Sequence, residues 1–363
     1  MTTQITNYQC PACTGPLRYS GAIGKLKCDH CGTEFDVAEI EQMYAAKEAA
    51  AAAAGVETQW DLGLAGGAWS DEEAAHMRAY SCPSCGAQIV CDDVTAATAC
   101  PYCSNPTVVP GQFAGMLRPD YVVPFRLSKE AAKAALTQYY KGKKFLPKLF
   151  AAKNHIEDIK GIYVPFWLFS GRTDADIRFH ATKVRSYDQG KYNVTITEHY
   201  NVGRRGNVAF ERVPVDGSSK MPDAHMDSVE PFDYSELAPF SSAYLPGFLA
   251  DKYDVTADEC SKRANARIRV STEQALRSTV QGYSSVRVES SNIVINKGDV
   301  KYALFPVWML NTRWKDKDFL FAMNGQTGKL IGDLPVDRGK FWLWFAGIAV
   351  PLIAILCVIF YMV

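Results

Sequence analysis

The chain has no Lys or Arg over one whole stretch, from Ala79 to Leu117, and this absence limits what that stretch can bind. Nucleic-acid affinity comes chiefly from basic side chains that neutralise phosphates. Residues 1–117 hold five Lys and Arg against thirteen Asp and Glu, although the formal net charge of the whole chain is zero. The N-terminal third is therefore acidic, which favours a protein-binding region there over a nucleic-acid-binding one.

The familiar catalytic motifs are also missing. No His-Glu-x-x-His, Gly-x-Ser-x-Gly or Gly-x-Gly-x-x-Gly occurs. The segment Asn324–Lys329 resembles a phosphate-binding loop, but Met323 stands where the first glycine is required and Leu330 stands where Ser or Thr would hold magnesium. We interpret it as a hairpin turn. The sequence predicts no catalytic residues and a protein that is not an enzyme.

Cysteine is the informative residue that is present. Two clusters share one spacing, Cys-x2-Cys, fourteen residues, Cys-x2-Cys. Two such pairs joined by a short hairpin supply four thiolates in the tetrahedral arrangement that zinc prefers, and a closed four-thiolate site is structural. We predict two structural Zn²⁺ ions, with the ligands Cys10, Cys13, Cys28 and Cys31 in the first ribbon and Cys82, Cys85, Cys100 and Cys103 in the second.

Disulfides are the alternative use of these eight cysteines. They would suit a secreted chain, but residues 1–8 are polar and form no signal peptide. Zinc is therefore the better interpretation. Three further cysteines, Cys91, Cys260 and Cys357, have no partner at ligand spacing, and we expect buried or lipid-facing thiols.

Composition divides the chain into five regions. A segment rich in Ala, Glu and Lys over 37–54 predicts a spacer helix, and Ser70 with Glu73 forms a capping box before the second cluster. The remainder is strand-rich, with helices expected after the caps Ser128 and Thr256. The predicted regions are zinc ribbon 1 (1–36), a helical spacer and hinge (37–79), zinc ribbon 2 (80–117), a strand-rich α+β domain (118–337) and a C-terminal apolar segment (341–363).

Two segments of the α+β domain resemble each other. Tyr163–Phe169 and Leu304–Leu310 both place Pro two residues before Trp inside an apolar run. Two related β subdomains would explain the similarity, and so would chance resemblance between hydrophobic strands. Because Pro cannot donate a ladder hydrogen bond, we expect an edge strand or a bulge at Pro165 and Pro306.

The last 23 residues, 341–363, carry no charged side chain. At about 1.5 Å per residue a helix of this length would span about 34 Å, enough for the roughly 30 Å hydrocarbon core of a membrane. Trp342 and Trp344 suit an aromatic belt, and Arg338 and Lys340 precede them. The sequence predicts a single transmembrane helix as a C-terminal anchor, with the bulk of the chain cytoplasmic. A buried core helix is the alternative.

Several motifs together point to a family. They are Trp69–Glu73, Thr95–Cys103, Gly161–Trp167, Glu230–Tyr234 and Asn324–Lys329. With the paired ribbons, the chain resembles, over nearly its whole length, bacterial zinc-ribbon proteins of the transcription factor IIB type that are often labelled primosomal or phage-replication-like. The resemblance implies the eight cysteine ligands. It also implies a link to envelope stress, because some similar proteins are membrane-bound and are associated with phage shock protein A and flotillin-like proteins.

The function expected from these observations is that of a membrane-anchored, cytoplasm-facing zinc-ribbon adaptor that recruits partner proteins in an envelope-stress response. Its expected partners are phage shock protein A-like and flotillin-like proteins and anionic membrane lipid. The alternative is a membrane-tethered zinc-ribbon protein of replication or transcription. Nucleic-acid binding would then use basic residues of the C-terminal two thirds, Arg263 and Arg267 among them; we expect it to be weak.

Overall fold

The computed structural model describes residues 11, 17–20, 25–28, 33–36, 39–40, 42–43, 60–95, 97, 99–106, 108–111, 113, 115–153, 156–315 and 317–362. The predicted spacer helix at 37–54 lies largely outside them. Strands predominate in the described part. They are β1 (Leu17–Ser20), β2 (Lys25–Cys28), β3 (Glu34–Phe35), β4 (Trp60–Asp61), β5 (Met77–Ser81), β6 (Gln88–Asp92), β7 (Val109–Gly111), β8 (Tyr121–Val122), β9 (Lys160–Gln189), β10 (Tyr192–Asp216), β11 (Ala238–Pro239), β12 (Leu249–Asp251), β13 (Ser285–Ile295), β14 (Gly298–Trp314), β15 (Lys317–Asn324) and β16 (Leu330–Gly332).

Three helices begin where the sequence predicted a cap. The side chains of Ser70, Ser128 and Thr256 each accept a hydrogen bond from the backbone three residues on, and Glu259 completes the capping box of Thr256. These caps satisfy backbone donors that a helix start leaves unpaired. The helices are α1 (Asp71–Ala75), α2 (Lys129–Tyr140), α3 (Lys148–Lys153), α4 (Asp223–Val229), α5 (Ala257–Ser278) and α6 (Arg338–Met362).

The strands form two sheets. β1, β2 and β3 make a small antiparallel sheet, and thirteen strands make a large one whose main path runs β11-β8-β14-β9-β12-β6-β5-β7. The predicted strand-rich α+β class is therefore what the structure shows. The strands of the second predicted ribbon, β5, β6 and β7, belong to the large sheet because β6 pairs with β12.

The centre of the large sheet is the antiparallel pair β9 and β14. Pro165 and Pro306 lie within it, opposite Leu304 and Tyr163, so the expectation of an edge strand or bulge at these prolines was wrong. The carbonyls of Pro165 and Pro306 accept hydrogen bonds from Gly217 and Gly325, both at 2.8 Å, on the sides that face away from the central pair. The N–H and C=O groups of one strand residue point to the same side of the strand. The N–H group that each proline lacks would therefore have pointed away from the central pair, and no hydrogen bond between β9 and β14 is lost.

On the outer side of β9 and of β14, the pairing with neighbouring strands is interrupted at the proline. β12 pairs with β9 up to Tyr163, and β10 pairs with β9 from Phe166 onward. Pro306 lies in the same way between the part of β14 that pairs with β8 and the part that pairs with β15. Proline is tolerated in these buried strands because its ring nitrogen points to the place where one neighbouring strand ends and the next begins. No hydrogen bond between strands is therefore lost there.

The tryptophans that follow the two prolines, Trp167 and Trp308, also make equivalent hydrogen bonds. Trp167 donates its indole N–H to the carbonyl of Val255 at 3.0 Å, and Trp308 donates to Leu127 at 3.1 Å. Each acceptor directly precedes a helix cap, Thr256 for α5 and Ser128 for α2. This agreement favours two related units over a chance similarity of strands. The two units interleave in the chain. The unit that contains Pro306 includes β8 and α2, which precede β9, and also β14 and β15, which follow α5.

The predicted transmembrane anchor was wrong. Within the described part of the chain, no helix is both long and apolar enough to cross a membrane. Residues 341–362 belong to α6, which contains Pro351. The predicted localisation, a single-pass membrane protein held by this anchor, was therefore wrong as well. Trp344, which was assigned to an aromatic belt, contacts Phe145 with ring centroids 6.3 Å apart.

We expect Gly217→Ala to destabilise the fold. A Cβ at position 217 would lie 2.9 Å from the Nε1 atom of Trp167, which is buried and already hydrogen-bonded to Val255. The free energy of unfolding should fall by about 1–3 kcal/mol in urea denaturation, as for other overpacked sites. Gly203→Ala in β10 is the matched control, because nothing lies within 4 Å of its Cβ, and it should change stability by less than about 0.5 kcal/mol. Equal losses in both variants would contradict this account of the central pair.

Candidate metal centre

The structure brings the four cysteines of the second cluster together. One ligand atom from each of Cys82, Cys85, Cys100 and Cys103 lies within 4.8 Å of all the others. The sulfur atoms of Cys82 and Cys103 are 3.5 Å apart, and those of Cys85 and Cys100 are 3.6 Å apart. Four sulfurs at about 2.3 Å from a tetrahedral metal would be separated by about 3.8 Å. This group could therefore hold a metal ion.

Backbone hydrogen bonds shape both cysteine turns in the same way. The N–H of Cys82 donates to Ala87 and that of Cys100 donates to Asn105, each at 2.9 Å and five residues on. The residue after the second cysteine of each pair, Gly86 or Ser104, has a positive φ, 72° or 57°. Gly86 adopts this conformation without strain, whereas it is less favourable for Ser104, which has a side chain.

Burial and backbone donors act in opposite directions on these thiols. Burial raises the pKa of Cys85 and of Cys100. Burial acts on Cys82 too, but the backbone N–H groups of Cys85 and Ser84 overcome it and lower its pKa to about 7. A cation between the sulfurs would favour the thiolate form of all four cysteines. A metal with four thiolates has no free coordination position, so such a site can stabilise structure but offers no place for a substrate.

The second cysteine turn is anchored to the large sheet by a residue that the sequence analysis missed. Tyr102, between Cys100 and Cys103, donates its hydroxyl to the Oδ2 atom of Asp251 at 2.6 Å, and Ser218 donates to the same atom at 2.6 Å. The other carboxylate oxygen of Asp251 is buried and has no partner in the described part of the chain. Burial raises the pKa of Asp251 to about 7.

Two more contacts hold this turn against the centre of the sheet. Lys160 at the start of β9 donates its Nζ to the carbonyl of Ala99 at 2.7 Å, and Asn311 of β14 donates its side-chain amide to the carbonyl of Tyr102. The partners are separated by 61 and 209 residues in sequence, so no local pattern could have indicated them. The metal centre is thus built against both central strands.

The first cysteine cluster is only partly described. Cys28 is buried at the end of β2, and its N–H donates to Thr33 at 2.9 Å, the same five-residue bond seen at Cys82 and Cys100. Cys10, Cys13 and Cys31 lie outside the described residues. The predicted second metal site therefore stays a prediction. The remaining cysteines are Cys91 and Cys260, both buried as expected, and Cys357, which is exposed.

Two of the basic residues of α5 that the nucleic-acid alternative would use, Arg263 and Arg267, are already paired. Arg263 contacts Asp216 at 2.9 Å and Asp227 at 2.7 Å, and Arg267 contacts Glu230 at 2.8 Å. Arg267 and Glu230 are both buried. Removing one member of such a buried pair would leave an uncompensated charge, so these residues support the fold and are not free to bind phosphate.

We expect Tyr102→Phe to weaken the attachment of the metal centre to the sheet. The variant leaves Ser218 as the donor to a buried carboxylate, so the free energy of unfolding should fall by about 1–3 kcal/mol in urea denaturation of the metal-loaded protein. Tyr80→Phe in β5 is the matched control, because this half-buried tyrosine has no hydroxyl hydrogen bond in the part of the chain that is described. A loss of stability in Tyr80→Phe as large as in Tyr102→Phe would contradict the assigned role.

Comparison with known proteins gives one informative match. No family model matches the chain, and no solved structure matches it. Over 345 residues the chain is 35% identical to the uncharacterized protein YdjG of Bacillus subtilis (strain 168), a match that covers 95% of this chain and 94% of that protein. Because the similarity runs almost from end to end of both proteins, the chain belongs to the same family as Bacillus subtilis YdjG.

Proposed function

We propose that Cys82, Cys85, Cys100 and Cys103 bind one structural Zn²⁺ and that the ribbon they form is the docking module of a non-enzymatic adaptor protein. The observation that carries this proposal is the closed set of four sulfurs, all within 4.8 Å of one another. Tetrahedral four-sulfur sites suit zinc or an iron–sulfur centre, and the short Cys-x2-Cys spacing is that of zinc ribbons. Binding energy at such a site contributes directly to folding.

The charge of the ribbon supports protein partners over nucleic acid. Its residues from Ala79 to Leu117 include no basic side chain, and Arg263 and Arg267 of the basic region are held in ion pairs. The edge strand β7 offers a surface instead. Among the described residues β7 pairs with β5 alone, and Val109 on it is 51% exposed. An exposed strand edge can accept an extended segment of a partner through backbone hydrogen bonds.

The partners we propose are phage shock protein A-like and flotillin-like proteins. The resemblance of the sequence motifs to zinc-ribbon proteins associated with them supports this choice. A second Zn²⁺, held by Cys10, Cys13, Cys28 and Cys31, is part of the same proposal. It is supported by the shared spacing and by the backbone bond from Cys28 to Thr33.

One feature favours nucleic-acid binding as a second candidate. Arg178 of β9 and Arg287 of β13 are exposed, and neither has a hydrogen bond or ion pair to a described residue. Their strands are paired, with Arg178 opposite Ser290 and Arg287 opposite His180, so both belong to the same sheet face. A phosphate backbone could lie along this face.

We expect two zinc ions per chain by elemental analysis of the purified protein. Cys82→Ser should reduce this to one, because the loss of one thiolate opens the second site and leaves the first intact. Cys357→Ser should keep both ions, since this exposed cysteine lies outside either cluster. Two ions retained in Cys82→Ser would refute the ligand assignment, and one ion in the unmodified protein would refute the site at Cys10.

We expect the purified chain to bind a purified phage shock protein A-like protein and Val109→Asp to weaken that binding at least about tenfold in biolayer interferometry. A charge on the exposed edge of β7 disfavours addition of a further strand. Val294→Asp is the matched control, because Val294 is a comparably exposed strand valine, 42% against 51% for Val109. It should leave the affinity unchanged.

Three results would count against the adaptor proposal. They are no binding of the partner, equal loss of binding in both valine variants, or submicromolar binding of duplex DNA that Arg178→Gln with Arg287→Gln abolishes. The last result would establish the nucleic-acid candidate in its place.

A further inference from the structure

A cleft of about 850 Å³ lies where the start of α6 meets the body of the protein. Three groups of described residues line it: 147–149 at the start of α3; Trp314, Lys315, Lys317 and Phe319 near the adjoining ends of β14 and β15; and 334–340 leading into α6. It shares no residue with the metal centre. Its volume falls within the range of about 300–1,000 Å³ that is typical of small-molecule sites.

The charges around this cleft are unbalanced. Among the described residues, five basic side chains and one acidic side chain, Asp337, line it. Asp337 is already engaged, because its Oδ1 accepts the backbone N–H groups of Gly339 and Lys340 and its Oδ2 lies 3.8 Å from the Nζ atom of Lys340. The other four cations have no hydrogen bond or ion pair to any described residue; they are Lys148, Lys315, Lys317 and Arg338. Like charges that converge on a cleft create a positive potential that attracts an anion.

The surface between these cations is apolar. Trp314, Phe319 and Leu334 form its floor and pack against the core beneath it. Leu149 and Val336 stand at its walls with 62% and 61% of their surfaces exposed. Exposed apolar side chains grouped in a cleft indicate a binding site, since burying them on a ligand gains about 25 cal/mol per Å².

We propose that this cleft binds a single-chain anionic amphiphile, namely a long-chain carboxylate. The apolar chain lies on Trp314 and between Leu149 and Val336, and the carboxylate meets Lys317 and Arg338. Arginine suits this role because its guanidinium group can bind a carboxylate through two parallel hydrogen bonds. Charge complementarity selects the occupant: a cationic amphiphile would be repelled, and a small hydrophilic anion would leave the apolar floor in water.

Calorimetric titration of the full chain, loaded with zinc, tests the proposal with three probes. Dodecanoate below its micelle concentration is the ligand. Dodecyltrimethylammonium has the same chain with the opposite charge, and butanoate has the same head group without the chain. Dodecanoate should bind, and each of the other two should bind at least about tenfold more weakly.

Variants locate the site. Lys317→Gln with Arg338→Gln should weaken dodecanoate binding at least about tenfold, because both cations lie at the rim and neither supports the fold through a described contact. Lys191→Gln with Lys262→Gln removes two exposed cations elsewhere and should leave the affinity unchanged. Leu149→Ser, at an exposed wall residue, should weaken dodecanoate binding while leaving the weak binding of butanoate unaltered.

Three outcomes would overturn the proposal. Equal binding of dodecyltrimethylammonium would show general apolar adsorption, for which the exposed side chains of α6 suffice. Unchanged dodecanoate affinity in Lys317→Gln with Arg338→Gln would place any bound chain elsewhere. Binding of a glutamate dodecamer without binding of dodecanoate would make the cleft a site for acidic peptides.

Discussion

The antiparallel pairing of β9 with β14 is the constraint on which the rest of the fold depends. Near its middle Val164 lies opposite Phe305, and Pro165 and Pro306 follow these two residues on opposite strands. On the outer side of each central strand, one neighbouring strand stops pairing before the proline and another starts pairing after it. The positions of β8, β10, β12 and β15 are thus related to these two prolines. The missing N–H of proline, which weakens most sheets, here marks where neighbours change.

The metal centre inherits its position from this pair. β12 lies beside β9, β6 lies beside β12, and β5 and β7 complete the ribbon beyond β6. A ribbon of this size has little core of its own, so its folding free energy would come largely from a bound metal and from docking. Burying the carboxylate of Asp251 in this contact costs free energy unless hydrogen-bond donors replace the water that it loses. Tyr102 and Ser218 supply those donors, which ties the ribbon sequence to a strand that lies 149 residues further along the chain.

Local sequence patterns predicted the local features well. The Cys-x2-Cys spacing identified Cys82, Cys85, Cys100 and Cys103, which meet as expected, and hydrogen bonds from side chain to nearby backbone fixed the starts of α2 and α5. Long-range features could not be predicted in this way. The role of Pro165 depends on which strands flank β9, and the contact of Tyr102 with Asp251 depends on the sheet order. An uncharged apolar run such as 341–363 does not by itself specify a membrane span: no helix of the described residues qualifies as one, and Trp344 near the start of the run contacts Phe145.

The metal centre and the cleft at the start of α6 both involve residues of the last part of β14. Asn311 bonds to the carbonyl of Tyr102, and its own carbonyl accepts the hydroxyl of Ser104 at 3.2 Å, so this residue meets the cysteine turn twice. Trp314, three residues on, lines the cleft. At about 3.3 Å per residue the two positions are about 10 Å apart along the strand, and residues of opposite parity face opposite sides of the sheet. A metal that ordered the cysteine turn would therefore also restrain the strand end that carries Trp314, part of the floor of the cleft.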